Sequence, residues 1–140
     1  MNFALALVVK KGNISHLASP ALPPTGLFQH FKAIADAVPD MPIVLYNIPG
    51  RCGVKMNPDT VARLYNACGS IVAVKEATGS LDNASATAAA CPIIVLSGDD
   101  SLVLPLLSIG GRGVISVLSN MDPRFMKAIV DPVGLRCFVV

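Results

Sequence analysis

Lys75 lies where a lysine side chain could act as a nucleophile, because it directly follows the uninterrupted apolar residues 71–74. An ammonium group at the mouth of a dry interior is poorly solvated, and desolvation lowers the pKa of a lysine amine. The neutral amine can attack a carbonyl carbon and form a Schiff base. Position alone leaves an alternative open, in which the side chain of Lys75 extends past the strand end and places its charge in solvent.

Two more polar side chains follow a second apolar run, residues 43–45, and suggest the rest of such a site. Tyr46 has an apolar ring and a phenol that can shuttle protons, although a tyrosine at this position can equally be a core residue. Arg51 lies between Gly50 and Gly53, and a guanidinium in such a turn can bind a carboxylate through paired hydrogen bonds. A solvated loop arginine is the alternative interpretation of Arg51.

Four short, mainly apolar runs must position these side chains, at residues 43–47, 71–75, 93–97 and 113–117. Each run is rich in β-branched residues and continuous rather than alternating, which is typical of strands covered on both faces in a parallel sheet. Polar residues follow every run, and the carboxyl ends of parallel strands meet at one edge. We therefore expect a site at that edge, with Tyr46 and Lys75 close together on one face of the sheet.

Helix signals separate the four runs. Thr25 is the predicted N-cap of a helix with an apolar face between residues 27 and 38. Asp100 is expected to open a helix over residues 102–109 that ends at Gly110. The other helices are predicted to begin at Asn57-Pro58, Ser80 and Asp122-Pro123. This alternation predicts an α/β fold with four parallel strands, right-handed crossovers and the helices on one side of the sheet.

The composition excludes several classes of protein. Hydrophobic residues make up 53% of the chain, charged residues make up 14%, the mean hydropathy is +0.61 and the formal net charge is +2. These values exclude intrinsic disorder and give no basic surface for nucleic acid. No apolar stretch reaches the roughly 18 residues that a membrane-spanning helix needs. Lys10 and Lys11 follow the apolar residues 1–9, whereas a secretory signal places its positive charges first.

The cysteines and histidines predict no metal site. Cys52, Cys68, Cys91 and Cys137 form no Cys-x-x-Cys pair, and the two histidines do not complete a zinc spacing. Free thiols and a cytoplasmic location are therefore expected. No Gly-x-Gly-x-x-Gly follows a strand, so the sequence gives no support for a dinucleotide cofactor.

Four segments together resemble the dihydrodipicolinate synthase (4-hydroxy-tetrahydrodipicolinate synthase) family. Residues 45–53, Leu-Tyr-Asn-Ile-Pro-Gly-Arg-Cys-Gly, are similar to its Tyr-Asn-x-Pro-x-Arg-Thr-Gly segment, and residues 74–79, Val-Lys-Glu-Ala-Thr-Gly, resemble its Schiff-base strand. Residues 96–100 and 111–117 match its last two strands in order and spacing. The resemblance covers roughly residues 25–130. Arg51 favours the synthase over its sister, N-acetylneuraminate lyase, which lacks that arginine.

The resemblance implies a pyruvate-dependent class I aldolase of lysine biosynthesis on a (β/α)8 TIM barrel, of which this chain holds a partial barrel similar to strands five to eight. Lys75 would form the Schiff base with pyruvate, Tyr46 would relay protons, and Arg51 would hold the carboxylate of aspartate semialdehyde. Gly98 and the backbone of Ile115 would line the pyruvate pocket. The covalent lysine imine implies no separate cofactor. The partners implied are these small molecules and, in the intact family, further copies of the chain, but neither nucleic acid nor a membrane.

The sequence also departs from the family pattern. The family's loop for the pyruvate carboxylate carries two adjacent threonines, and this sequence has no such pair. The family's fourth strand supplies a tyrosine to a neighbouring subunit's proton relay, whereas this sequence has only Tyr46 and Tyr65. Cys52 stands where threonine is usual, and residues 1–24 and 132–140 are irregular and unlike the family.

These departures lead to the expectation of one domain, residues 1–140, that resembles the second half of a truncated or frame-disrupted synthase and is impaired or inactive alone. Two alternatives stay open. The chain can be a non-catalytic half-barrel that persists only by association with itself or with a full-length relative, since such a protein would inherit Lys75 as well. It can also be another pyruvate aldolase of the superfamily, such as N-acetylneuraminate lyase.

Overall fold

Strands and helices alternate along residues 24–131, the part of the chain that this computed structural model describes. The strands are β1 (Ile43–Asn47), β2 (Ile71–Glu76), β3 (Ile94–Ser97) and β4 (Gly113–Val114). The helices are α1 (Pro24–Ala37), α2 (Pro49–Cys52), α3 (Pro58–Ala67), α4 (Leu81–Ala90), α5 (Val103–Ser108) and α6 (Pro123–Val130), with 3₁₀ turns at Asp100–Leu102 and Leu118–Asn120. The predicted irregular segments, residues 1–24 and 132–140, lie outside the described residues except for Pro24, which begins α1.

The four strands form one parallel sheet in the order β1-β2-β3-β4. Strands that are consecutive in the chain are neighbours in the sheet, as expected for successive crossover units. β1 has the predicted bounds, β2 extends one residue further to Glu76, and β3 begins one residue later at Ile94. The predicted α/β fold with four parallel strands is confirmed.

The two faces of the sheet carry different clusters of apolar side chains, because successive residues of a strand point to opposite faces. On one face, strand residues join the main hydrophobic core with α1, α3, α4 and α5; this core includes Ile43, Leu45, Val74, Val95, Ala35, Val61, Leu64, Ala84 and Leu106. The opposite face carries a smaller cluster of Val44, Ala73, Leu96 and Ile115. Apolar side chains on both faces account for the continuous apolar runs in the sequence.

Short polar side chains fix where two helices begin. Ser80 Oγ accepts a hydrogen bond from Asn83 N at 3.1 Å at the start of α4. Asp122 Oδ1 accepts one at 3.0 Å from the N–H group three residues later, at the start of α6. Such caps satisfy N–H groups that have no partner inside the helix. Helix α1 begins at Pro24, so Thr25 lies inside its first turn and the predicted cap at Thr25 is wrong.

The fourth strand is predicted over residues 113–117, but it is shorter and ends at Val114. The carboxylate of Asp100 holds the last part of the predicted run away from the sheet: its Oδ2 accepts hydrogen bonds from the N–H groups of Val117 at 3.2 Å and Leu118 at 2.9 Å. A chain whose N–H groups turn towards a side-chain acceptor cannot continue the strand ladder. Asp100 therefore binds the turn after β4 and does not cap the helix as predicted; α5 begins at Val103 after a 3₁₀ turn.

Three cysteines are free thiols, as the sequence predicts: Cys52, Cys68 and Cys91. Cys68 and Cys91 are buried, where a thiol behaves as a small apolar side chain. Cys137 lies outside the described residues. Within residues 24–131, no helix combines the length and the apolar character needed to cross a membrane.

Leu64→Ala should lower the free energy of unfolding by about 2–5 kcal/mol, because Leu64 is fully buried in the main core and its truncation leaves a cavity. Leu104→Ala is the matched control, since Leu104 is also helical but 60% exposed, and its truncation should change the same quantity by less than about 0.5 kcal/mol. Urea unfolding followed by circular dichroism measures both values. Equal losses in the two variants would contradict the placement of the main core between the helices and the sheet.

Candidate active site

Tyr46 and Lys75 lie side by side at the carboxyl end of the sheet. They are paired in the parallel register of β1 and β2, and Lys75 Nζ lies 4.3 Å from the centroid of the Tyr46 ring. Both side chains point to the face that carries Val44 and Ala73, since each lies two residues further along its strand. The prediction that the two side chains share one face and one edge is confirmed.

Lys75 is almost fully buried, with 8% of its surface exposed. Burial is the main cause that lowers the pKa of its amine below the ordinary value, and the charge of Arg51 lowers it further. The carboxylates of Asp99 and Asp100 raise this pKa, but the effect of burial is larger. Lys75 therefore has a larger fraction of neutral, nucleophilic amine than an exposed lysine at the same pH.

The phenol of Tyr46 is held in its protonated form. Burial raises the pKa of Tyr46 above its ordinary value, as do the nearby Asp99 and Cys52, whereas Arg51 lowers it. A protonated phenol can donate a hydrogen bond or a proton to a group bound at Lys75. The Tyr46 ring also provides a cation–π contact when the Lys75 amine is charged.

Arg51 lies in the short helix α2, which directly follows β1. Pro49 begins this helix, and Gly53 ends it with a φ of +70°, a left-handed conformation that glycine adopts without strain. Arg51 is exposed, and its charge lowers the pKa of both Tyr46 and Lys75. A carboxylate that enters from solvent could bind Arg51 while a neighbouring carbonyl group reaches Lys75.

Cys52, which stands where the family has threonine, belongs to the same turn. Its Sγ lies 3.1 Å from Ile48 O and 3.2 Å from Val54 O. Both neighbours are backbone carbonyl groups, to which either a thiol or a hydroxyl can donate a hydrogen bond. The cysteine therefore makes the kind of contact that a threonine could make there.

Gly98 follows β3 and lies against the side chain of Lys75. A Cβ atom at Gly98 would lie 3.2 Å from Lys75 Cε, 2.6 Å from Ala77 Cβ and 3.0 Å from Glu76 O. The N–H group of Gly98 donates to that same Glu76 oxygen at 2.8 Å, which holds the backbone in this close position. Gly98 thus packs closely against the Lys75 side chain, and any larger residue would have to displace its neighbours.

Ile115 follows β4 on the same face as Lys75, and its side chain packs with Leu96 and Val44. Its N–H group donates to Ser97 O at 2.9 Å. The backbone group that Ile115 can offer to a ligand is therefore its carbonyl.

A buried polar network that the sequence analysis did not predict lies on the opposite face of the sheet from Lys75. Glu76 Oε1 accepts a hydrogen bond from Thr78 N at 2.9 Å, and Oε2 accepts from Asn83 Nδ2 at 2.9 Å and Asn47 Nδ2 at 3.3 Å. Because successive side chains of a strand point to opposite faces of the sheet, the sequence does predict that Glu76 points away from Lys75. Its amide partners could not be predicted, because they lie 29 and 7 residues away in the chain.

A model of the dihydrodipicolinate synthetase family matches residues 21–134 of this chain. A curated relative, the 4-hydroxy-tetrahydrodipicolinate synthase of Endomicrobium trichonymphae, is 57% identical over 106 residues, which are 75% of this chain and 36% of that protein. The chain thus spans little more than a third of the length of the curated relatives it matches.

Solved structures of the same kind of protein share the fold of this chain. The 4-hydroxy-tetrahydrodipicolinate synthase of Methylacidiphilum fumariolicum is 50% identical with a TM-score of 0.76, over 78% of this chain and 37% of that one. The chloride-inhibited dihydrodipicolinate synthase of Acinetobacter baumannii complexed with pyruvate is 39% identical with a TM-score of 0.75, over 80% and 38%. These neighbours are TIM barrels, and the prediction of a partial (β/α)8 barrel is confirmed.

Gly98→Ala should lower the free energy of unfolding by about 1–3 kcal/mol, because the added methyl group overlaps Ala77 and crowds Lys75. Gly50→Ala is the matched control: Gly50 has open space where a Cβ would lie, and alanine suits the helix α2 better than glycine. Urea unfolding compares the two variants. A Gly98→Ala protein as stable as Gly50→Ala would show that the close approach to Lys75 is not required.

Lys75→Met should stabilise the protein at neutral pH, because it removes a buried ammonium whose pKa is lowered by folding. At a pH below the lowered pKa of the folded protein, Lys75 is protonated in both the folded and the unfolded protein, and the folded protein bears the full cost of burying the ammonium group. As the pH rises towards 10.5, the folded protein releases this proton first, and the cost disappears. The stability difference between Lys75→Met and the unsubstituted chain should therefore shrink with rising pH. Lys55→Met, at an exposed position, serves as the control. A stability difference that stays constant between about pH 7 and pH 10 would contradict the depressed pKa.

Proposed function

Because the chain belongs to the dihydrodipicolinate synthetase family, we propose that the amine of Lys75 forms a Schiff base with pyruvate, as in a class I aldolase. The observation that carries this proposal is the buried Lys75 amine, 4.3 Å from the ring of Tyr46 at the carboxyl edge of a parallel sheet. The relative from Acinetobacter baumannii, which is complexed with pyruvate, supports this choice of substrate.

The proposed reaction begins with attack of the neutral Lys75 amine on the ketone carbon of pyruvate. The C–N bond forms, the π electrons of the carbonyl pass to oxygen, and a proton passes from the nitrogen to that oxygen. The carbinolamine then loses water as the nitrogen lone pair forms the C=N bond. Loss of a proton from the methyl carbon gives an enamine, whose carbon attacks the aldehyde carbon of aspartate semialdehyde. The π electrons of the aldehyde pass to its oxygen, which takes up a proton from water. The new C–C bond restores an imine, from which water or the product's own amine releases Lys75.

Tyr46 and Arg51 have separate roles in this proposal. The raised pKa of Tyr46 keeps its phenol protonated, so it can donate the proton with which the carbinolamine hydroxyl leaves as water. The resulting phenolate can accept a proton from the methyl carbon, which returns Tyr46 to its starting state. Arg51 would bind the carboxylate of aspartate semialdehyde near the mouth of the site.

The complete condensation needs groups that the sequence of this chain does not contain. The sequence has no adjacent threonines, and its second tyrosine, Tyr65, lies on helix α3 in contact with the main core. Positioning of the reactants accounts for roughly 7–11 kcal/mol of a barrier in favourable cases, so a lysine alone is a poor catalyst. We therefore propose imine formation with little synthase turnover for these 140 residues alone. The alternative, a non-catalytic half-barrel, predicts no imine.

Incubation of the purified chain with pyruvate and borohydride should leave a reduced pyruvate adduct on Lys75, because the neutral amine adds to the ketone. Peptide mapping by mass spectrometry locates the adduct, and the exposed Lys55 in the same digest is an internal control. Lys75→Ala should remove the adduct at this position and leave the reaction of the other lysines unchanged. Absence of the adduct from Lys75, or equal labelling of Lys55, would favour the non-catalytic alternative.

Turnover of pyruvate with aspartate semialdehyde should be lower than that of an intact relative by at least about 10²-fold, since general acid–base help alone contributes 10²–10⁴-fold. A coupled assay on the purified chain, with Lys75→Ala as the blank, measures this rate. If turnover lies within tenfold of the intact relative and disappears in Lys75→Ala, the missing groups are unnecessary and the expected impairment is wrong. N-Acetylneuraminate as substrate tests the sister activity in the same experiment.

A further inference from the structure

Glu76 is the only glutamate in the sequence, and its carboxylate is buried next to the proposed nucleophile without a part in the proposed chemistry. A buried carboxylate is costly unless hydrogen bonds compensate for the lost water. Glu76 receives three such bonds, all from N–H donors on Thr78, Asn47 and Asn83. The carboxylate is therefore satisfied, and its hydrogen bonds connect the ends of β1 and β2 with the start of α4.

Asn47 extends this network to the segment before α3. Its Oδ1 accepts a hydrogen bond from Met56 N at 3.0 Å, and its Nδ2 donates to Met56 O at 3.0 Å. These two bonds fix the orientation of the amide, so the other Nδ2 proton points to Glu76 Oε2 at 3.3 Å. Asn83, in the first turn of α4, donates to the same oxygen at 2.9 Å. One carboxylate thus joins β2 to the end of β1 and the start of α4.

Each strand residue of the network is the chain neighbour of a residue of the candidate active site. Asn47 follows Tyr46, and Glu76 follows Lys75. The strand register pairs Tyr46 with Lys75 and Asn47 with Glu76. Successive strand residues face opposite sides, so the network lies on the helix side while the amine and the phenol lie on the other side. Because Glu76 directly follows Lys75 in β2, the hydrogen bonds that hold Glu76 also hold the backbone from which the Lys75 side chain extends.

We propose that Glu76 is a positioning residue: its buried hydrogen bonds hold the end of β2 so that the amine of Lys75 stays against the ring of Tyr46. This inference rests on the proposed function, because positioning of the amine serves catalysis only if Lys75 is the nucleophile. The inference concerns the location of the amine itself, which can be measured without pyruvate.

Glu76→Gln disturbs the network while it keeps the shape of the side chain. The single oxygen of glutamine lies either towards the N–H group of Thr78 or towards the amide of Asn47, and cannot serve both. Neither donor can turn away, because one is backbone and the other is fixed by Met56. The NH₂ group of the glutamine must then face a donor, which leaves a buried N–H group unpaired and favours displacement of the strand end.

The test is the pH dependence with which acetic anhydride acetylates Lys75 in the 140-residue chain, followed peptide by peptide with mass spectrometry. In the unsubstituted chain we expect a midpoint below the 10.5 of an ordinary lysine, because the amine is buried. Glu76→Gln should raise the midpoint towards 10.5, because burial is the largest cause of the lowered pKa of Lys75 and a displaced amine regains water, whereas Glu76 is not among the charges that shift this pKa. Each unit of that shift reduces the neutral amine at neutral pH about tenfold. An unchanged midpoint in folded Glu76→Gln protein overturns the proposal.

Two control variants separate positioning from general loosening of the fold. Asp36→Asn makes the same chemical change at an exposed carboxylate, and Val61→Ala opens a cavity in the main core at a side chain that makes no hydrogen bond to the network. Both should leave the midpoint of Lys75 unchanged. If Val61→Ala raises it as much as Glu76→Gln, the proposal is wrong. Should Glu76→Gln fail to fold, Asn83→Ala, which removes one donor and suits a helix, must raise the midpoint, and no change there overturns the proposal.

Failure of the proposed function has a different signature, which is the absence of a pyruvate adduct on Lys75 in the unsubstituted chain. Acetylation does not involve pyruvate and still reports the position of the amine. A raised midpoint without an adduct supports positioning by Glu76 and removes the aldolase role. An adduct with an unchanged midpoint supports the aldolase role and removes the positioning role.

Discussion

The parallel pairing of β1 with β2 is the constraint on which the other features of the candidate site depend. Because the register places Tyr46 opposite Lys75, it also places Asn47 opposite Glu76, one residue further and on the other face. A shift of the pairing by one residue would turn each of these side chains to the wrong side of the sheet. Packing of Leu45 and Val74 against the helices opposes such a shift, since both side chains would leave the main core.

Lys75 and Glu76 are adjacent in the chain and both buried, but their polar groups have different surroundings. The Lys75 amine lies in a poorly solvated place next to an aromatic ring, and burial lowers its pKa. The Glu76 carboxylate is equally buried but has three N–H donors. The first arrangement favours the neutral form of the amine, whereas the second satisfies a buried carboxylate with hydrogen bonds. The nucleophile of the proposed function and the side chain that we propose to position it thus occupy consecutive positions of one strand.

The carboxyl edge of the sheet is completed by backbone geometry as much as by side chains. Gly98 allows the chain after β3 to approach Lys75 to a distance at which a methyl group would crowd the lysine, and Asp100 draws the N–H groups after β4 towards the same edge. Arg51 lies in the turn after β1, whose end at Gly53 has a positive φ, and its charge lowers the pKa of Lys75. These features occur within a four-stranded unit that corresponds to a little more than a third of its curated relatives.

The sequence by itself determined the features that depend on neighbours along the chain. Continuous runs rich in β-branched residues predict the four strands, and Ser80 and Asp122 mark the starts of α4 and α6. The four apolar residues before Lys75 predict that its amine lies next to a dry interior. The resemblance to a family added roles for those residues. Only the tertiary structure decided that Glu76 meets Asn47 across 29 residues and that Asp100 binds the turn after β4 at Val117, 17 residues away. Local propensity cannot specify such bonds, because a hydrogen bond between distant residues depends on strand register and helix packing, which the whole core fixes together.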